Sequence, residues 1–182
     1  MTHTDANYQA DANYQAWLPE PEATQAIGAS MAKIIQTQAL MGAGFHIHLQ
    51  GDLGAGKSTL ARALIQSFLP KQKVKSPTFT LVEAYPVSGD GASTAFDLVH
   101  FDCYRLSDPE ELEFLGVRDL LTPPYVALVE WPQKGAGVLP APDWLCELSL
   151  ADSADVAGGR QFQVCAGSHL GDKALRALKA SL

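Results

Sequence analysis

The residues Gly51-Asp52-Leu53-Gly54-Ala55-Gly56-Lys57-Ser58-Thr59 meet the pattern G-x-x-x-x-G-K-[ST] in full. Each position has a mechanical reason. Glycines let successive backbone N–H groups turn inward toward an anion, and the N-terminus of a following helix adds partial positive charge. Lys57 offers a mobile ammonium to the β- and γ-phosphates of a nucleotide. The Ser58 hydroxyl is a hard oxygen suited to Mg2+, and Thr59 is near enough in sequence to bond the α-phosphate. Phosphoryl transfer also needs acids to hold the metal and orient the nucleophile. Asp102 follows the apolar run "FDLVHF" and Glu130 follows "YVALV". In a parallel sheet such strand ends share the edge that carries the phosphate loop. Glu130 ends the more uniformly apolar strand, so it is the first candidate for the metal, and Asp102 for positioning water or the metal.

These side chains need elements to hold them. The glycine-rich loop lies between a strand at 45–50, "FHIHLQ", and a helix over 57–68 that Pro70 ends. Ahead of them, Ile27, Met31, Ile34 and Ile35 recur at helical spacing within an amphipathic helix over 22–40. "TFTLVEAY" (78–85) and "TAFDLVHFD" (94–102) read as a hairpin joined by "PVSGDGAS". One or two short helices follow over 109–121, interrupted at Gly116. "YVALVEW" (125–131) has the near-continuous apolarity of a strand buried on both faces. "WLCELSL" and "RQFQVCAG" are two late strands around "ADSADVAGG", and "DKALRALKASL" closes the chain as a helix. This order predicts a three-layer α/β fold of the P-loop NTPase type with a mixed, partly parallel central sheet. No composition break divides it, so 18–182 reads as one domain. Residues 1–17 contain "DANYQA" twice in tandem, too short for a repeat architecture, and read as a flexible leader with order beginning near Leu18.

Composition narrows the function. A chain of 182 residues with a net charge of −7 is poorly suited to extended contact with nucleic acid, whose affinity rests on Lys and Arg. The densest basic stretch, Lys71, Lys73 and Lys75, reads as a solvated connection that could touch an acidic partner. Cys103, Cys146 and Cys165 are odd in number and far apart, without metal-ligand spacing, and read as buried small residues of a reduced, cytoplasmic protein. The N-terminus lacks the basic and apolar segments of a signal peptide, and no run approaches the ~18 apolar residues of a membrane span.

"GDLGAGKST", "SPTFTLVEAY", "HFDCYRL", "EELEFLG" and "VEWPQKG" follow one another in the order and spacing of the TsaE family, which the chain resembles from about Leu18 to Gly167. The resemblance implies an ATPase of tRNA threonylcarbamoyladenosine synthesis that takes ATP and Mg2+. It works with TsaD- and TsaB-type partners and meets tRNA only through them. It further implies that Ser58 and Glu130 serve the metal, that Asp102 is needed for hydrolysis, and that Ser76-Pro77-Thr78 forms a switch-like loop near the γ-phosphate. Thr24 and Arg160 are placed near the nucleotide, and Trp131 as a wall of the site. Ser58 stands where many members carry Thr, which preserves the hydroxyl.

Two other functions use the same loop. A small-molecule P-loop kinase usually closes an arginine-rich lid over the transferring phosphate. The five arginines here, at 62, 105, 118, 160 and 176, form no cluster. A non-hydrolysing interaction module would use ATP only as a conformational ligand. A GTPase is disfavoured because no Lys is followed two residues later by Asp.

Overall fold

A computed structural model describes residues 13–89, 95–150 and 159–182. Seven strands form one sheet: β1 (Asn13–Leu18), β2 (Phe45–Gln50), β3 (Val82–Val87), β4 (Phe96–Asp102), β5 (Tyr125–Glu130), β6 (Trp144–Leu150) and β7 (Arg160–Ala166). Their spatial order is β1-β7-β6-β2-β5-β4-β3. The four central strands β6, β2, β5 and β4 are parallel. Antiparallel pairings to β3 on one side and to β7 and β1 on the other complete the sheet. The mixed, partly parallel α/β architecture read from the sequence is the one observed.

The two faces are covered unequally. Phe45, Ile47 and Leu49 of β2, Leu98 of β4, Val126 and Leu128 of β5, and Trp144 and Cys146 of β6 pack in one core with three helices. These are α1 (Pro21–Thr37), α2 (Lys57–Phe68) and α5 (His169–Ser181). The other face carries a smaller cluster around Val99, Phe101, Ala127 and Val129, capped by the short helices α3 (Glu111–Phe114) and α4 (Val117–Leu120). The break expected at Gly116 falls between these two helices, where Gly116 adopts φ 72°.

Several expectations shift. Residues 13–18 are an edge strand, so order begins before Leu18. Tyr14 and Ala16 pack on the main core with Leu18, while Gln15, on the opposite face, donates its amide to Gln163 of β7 at 3.0 Å. This period-2 alternation lies partly inside the second hexapeptide copy; the first copy falls outside the described residues. The third strand begins at Val82, four residues later than 78, because Ser76–Thr80 turns away toward Asp102 and Leu81 takes a left-handed φ of 65°. It then runs on through Pro86, which an edge strand tolerates. The first helix stops at Thr37; Ala39 is left-handed, and a 3-10 turn spans Leu40–Ala43. The turn "PVSGDGAS" lies partly, and "ADSADVAGG" almost wholly, outside the described residues. Cys103 and Cys146 are buried as expected, but Cys165 is half-buried because it points to the polar face of β7. Among the described residues, no helix is long and apolar enough to cross a membrane.

Candidate active site

The loop from Gly51 to Gly56 leaves the C-terminal end of β2, between the ends of β5 and β6. Gly51 has φ 136°, and a Cβ there would stand 2.0 Å from the Leu148 carbonyl oxygen. Only glycine fits so close to a neighbouring strand. Gly56, at φ 109°, precedes α2 directly, and a Cβ on it would meet the Arg160 side chain at 3.1 Å. Ala55 is buried against the core, while Leu53 is exposed at the loop tip. Asp52 accepts the Ala55 N–H at 3.2 Å through its carbonyl, closing the turn.

Lys57, 4% exposed, donates Nζ to the carbonyls of Gly51 at 2.7 Å and Asp52 at 2.8 Å. Its ammonium also lies 4.2 Å from the centre of the Trp131 ring, within cation–π range. Burial pushes this ammonium below the ordinary lysine value, against the opposing pull of Glu130, Asp102 and Asp52. Trp131 follows β5 in a left-handed conformation, φ 57°, with its ring against Tyr104. A bulky residue there is a genuine outlier, and it puts the indole beside the loop.

Asp102 and Glu130 are register partners across β4 and β5, and their surroundings separate them. Glu130, 2% exposed, accepts the Ser58 hydroxyl on Oε2 at 2.7 Å, and its Oε1 lies 2.9 Å from His100 Nε2. Asp102, 4% exposed, accepts both the Ser76 and Thr78 hydroxyls on Oδ2 and the Tyr104 N–H on Oδ1 at 3.1 Å. Asp102 is therefore the anchor of the 76–80 loop, and Glu130 is the acid next to the helix N-terminus.

The hard-oxygen pair of Ser58 and Glu130 suits Mg2+, which keeps several waters and takes only one or two protein carboxylates. Among the described residues, no group of three or more His, Cys, Asp or Glu could hold a metal ion alone. A metal here would share its coordination with phosphate oxygens.

The remaining predicted residues are less closely joined. The Arg160 guanidinium lies 3.5 Å from the Gly54 carbonyl, so the last hairpin does reach the loop. Thr24 is buried in the first turns of α1, with a hydroxyl that bonds no group of the site. Thr59 follows Ser58 in the first turn of α2, half-buried. His100 is the residue that motif reading missed. Its signal was available, since two residues before Asp102 on a strand means the same face.

A strand, a glycine-rich loop and a helix with two acids on adjacent parallel strand ends define a P-loop NTPase-like α/β protein. The crystal structure of Bacillus subtilis YdiB shares this fold, with a TM-score of 0.70 and 22% identity over 96% of this chain and 98% of that one. The family model for the threonylcarbamoyl adenosine biosynthesis protein TsaE matches residues 18–161, and the chain belongs to the TsaE family. The tRNA threonylcarbamoyladenosine biosynthesis protein TsaE of Haemophilus influenzae is 43% identical over 131 residues, 72% of this chain and 76% of its own. Its counterpart in Streptomyces coelicolor is 39% identical over 106 residues, 58% of this chain and 64% of its own.

Proposed function

We propose that this chain binds and hydrolyses Mg2+-ATP within tRNA threonylcarbamoyladenosine synthesis. Hydrolysis resets a complex with TsaB- and TsaD-type partners, and the chain itself does not transfer the threonylcarbamoyl group. The observation that carries this reading is the Ser58–Glu130 contact at 2.7 Å, a hydroxyl and an acid suited to Mg2+ directly behind the glycine-rich loop.

The roles follow from the contacts. Lys57 exchanges two neutral carbonyl acceptors for anionic phosphate oxygens, so its ammonium meets a full opposite charge in place of a peptide dipole. The N–H groups of residues 51 to 59 cradle the phosphates. Ser58 and Glu130 would hold Mg2+, which supplies charge neutralisation to the phosphates when bound. Asp102 holds Ser76 and Thr78 in place, so the loop meant to line up water is tied to the strand end next to that of Glu130. Water is the acceptor.

Steady-state phosphate release, with and without cognate TsaB and TsaD, tests the reading. Turnover that requires Lys57 and Glu130 and rises with partners is expected. Phosphate transfer to a small metabolite in an acceptor screen would replace it with the kinase reading.

A further inference from the structure

We infer that His100 is a positioning residue for the metal site, acting through Glu130. The inference rests on the Mg2+-ATP reading above and gives a role to the one residue of "HFDCYRL" on the Asp102 face that the sequence analysis left without one.

The geometry is specific. Glu130 is 2% exposed and His100 1%, so neither side chain can be satisfied by bulk water. A buried carboxylate is costly unless its oxygens are hydrogen-bonded. Each oxygen of Glu130 has a different partner: Oε2 takes the Ser58 hydroxyl and Oε1 faces His100 Nε2 at 2.9 Å. A carboxylate only accepts, so Nε2 carries the hydrogen. Nδ1 bonds nothing, so this contact is the one hydrogen bond that the ring makes. His100 sits on β4, one strand over, on the face it shares with Asp102, so the bond ties the carboxylate to the sheet. Without it the carboxyl group is free to rotate about its last bond and turn Oε2 away from Ser58.

His46 and His48 are also buried, but they lie on β2 among the side chains of the opposite face, and His46 faces the Tyr125 hydroxyl at 2.6 Å. Neither reaches an acid of the site. Outer-shell partners that orient a metal ligand are commonly worth ~10–100-fold in metal affinity.

Two amides of different reach test this. His100→Gln places an N–H donor near the position of Nε2, whereas His100→Asn stops short of Glu130 and removes the bond while keeping a polar side chain. His100→Leu serves as a second variant without a donor should the Asn variant not fold. Calorimetric titration with a non-hydrolysable ATP analogue is run in EDTA and again in saturating Mn2+. His100→Asn is expected to bind the metal-free analogue as wild type does and to lose ~10–100-fold in affinity for the Mn2+ form. His100→Gln should stay near wild type in both. In a Glu130→Ala background the Asn substitution should add no further loss, since it acts only through that carboxylate. Unchanged Mn2+-analogue binding in the Asn and Leu variants overturns the inference and leaves the ATPase reading standing. So does a loss of similar size in EDTA, which marks a general structural role. If wild type itself fails to bind the Mn2+ form, the Mg2+-ATP reading falls and takes this inference with it.

Discussion

The Lys57 ammonium rests on two backbone carbonyls and an indole face, a set of neutral acceptors that an anionic phosphate outcompetes. Lys57→Ala should therefore keep the fold and lose ATP affinity by on the order of 100-fold, since hydrogen bonds to charged groups contribute ~1.5–3 kcal/mol each. Calorimetry on the folded variant decides it. The loop glycines separate in the same way. Gly51→Ala drives a Cβ into the Leu148 carbonyl, whereas a Cβ on Gly54 meets open space and only the left-handed φ of 82° opposes it. Gly54→Ala should cost ~1–2 kcal/mol in chemical denaturation, and Gly51→Ala distinctly more. Equal costs would mean that the strand-to-loop approach is looser than the structure has it. Asp102→Ala removes the acceptor of Ser76, Thr78 and the Tyr104 N–H together. Faster amide hydrogen exchange at residues 76–80 and at Tyr104, with the rest of the sheet unchanged, is the expected mark, with phosphate release lost.

At the level of elements, β2 carries a built-in acid sensitivity. Burial pushes His46 and His48 down to about 4, while an unfolded chain titrates them near 6.5. Between these values the unfolded state binds more protons, so stability is fully present above pH ~6.5 and is lost as pH falls toward 4. The slope is at most ~1.4 kcal/mol per pH unit for each ring. Melting temperature should drop steadily from pH 7 to pH 5, and a His46→Gln/His48→Gln variant should flatten that drop. The sequence showed β2, α2, β6 and the apolar β5 almost to the residue, because local pattern and environment agree in them. It hid the start of β3, where two hydroxyls leave the strand for an acid 24 and 26 residues away. It hid β1, whose alternation was masked by the tandem hexapeptide and whose pairing partner lies at the far end of the chain. The start of α5 was missed too, although Ser168 caps it by accepting the Gly171 N–H at 2.9 Å. In the site, Gly51 to Ser58, Asp102 and Glu130 were legible as a motif at strand ends. For His100 the spacing from Asp102 gives the face, but its contact with Glu130 runs between strands and is not encoded locally.

For the whole molecule, the proposed ATP hydrolysis would need positive charge beside the transferring phosphoryl group. Arg105 stacks 4.2 Å over the exposed Phe79 ring, and Arg160 lies along the loop beside Gly54 and Gly56. Among the described residues no arginine cluster closes over the site, and an arginine finger alone can be worth roughly 10³–10⁵ in rate. The isolated chain should therefore turn over slowly, and adding cognate TsaB and TsaD should raise the rate well above it, an increase abolished by Glu130→Ala. Several turnovers per second by the chain alone, unchanged by partners, would rule out regulation of this kind. The direction of β1 has a practical bearing on such measurements. It runs toward Leu18, which pairs with Arg160 at the phosphate edge, while Asn13 pairs with Cys165 at the remote edge of the sheet. A surface tether or fluorophore joined directly to Asn13 therefore enters the molecule about 17 Å of strand away from the loop edge, so an immobilised protein can present that edge outward to whatever is flowed across it.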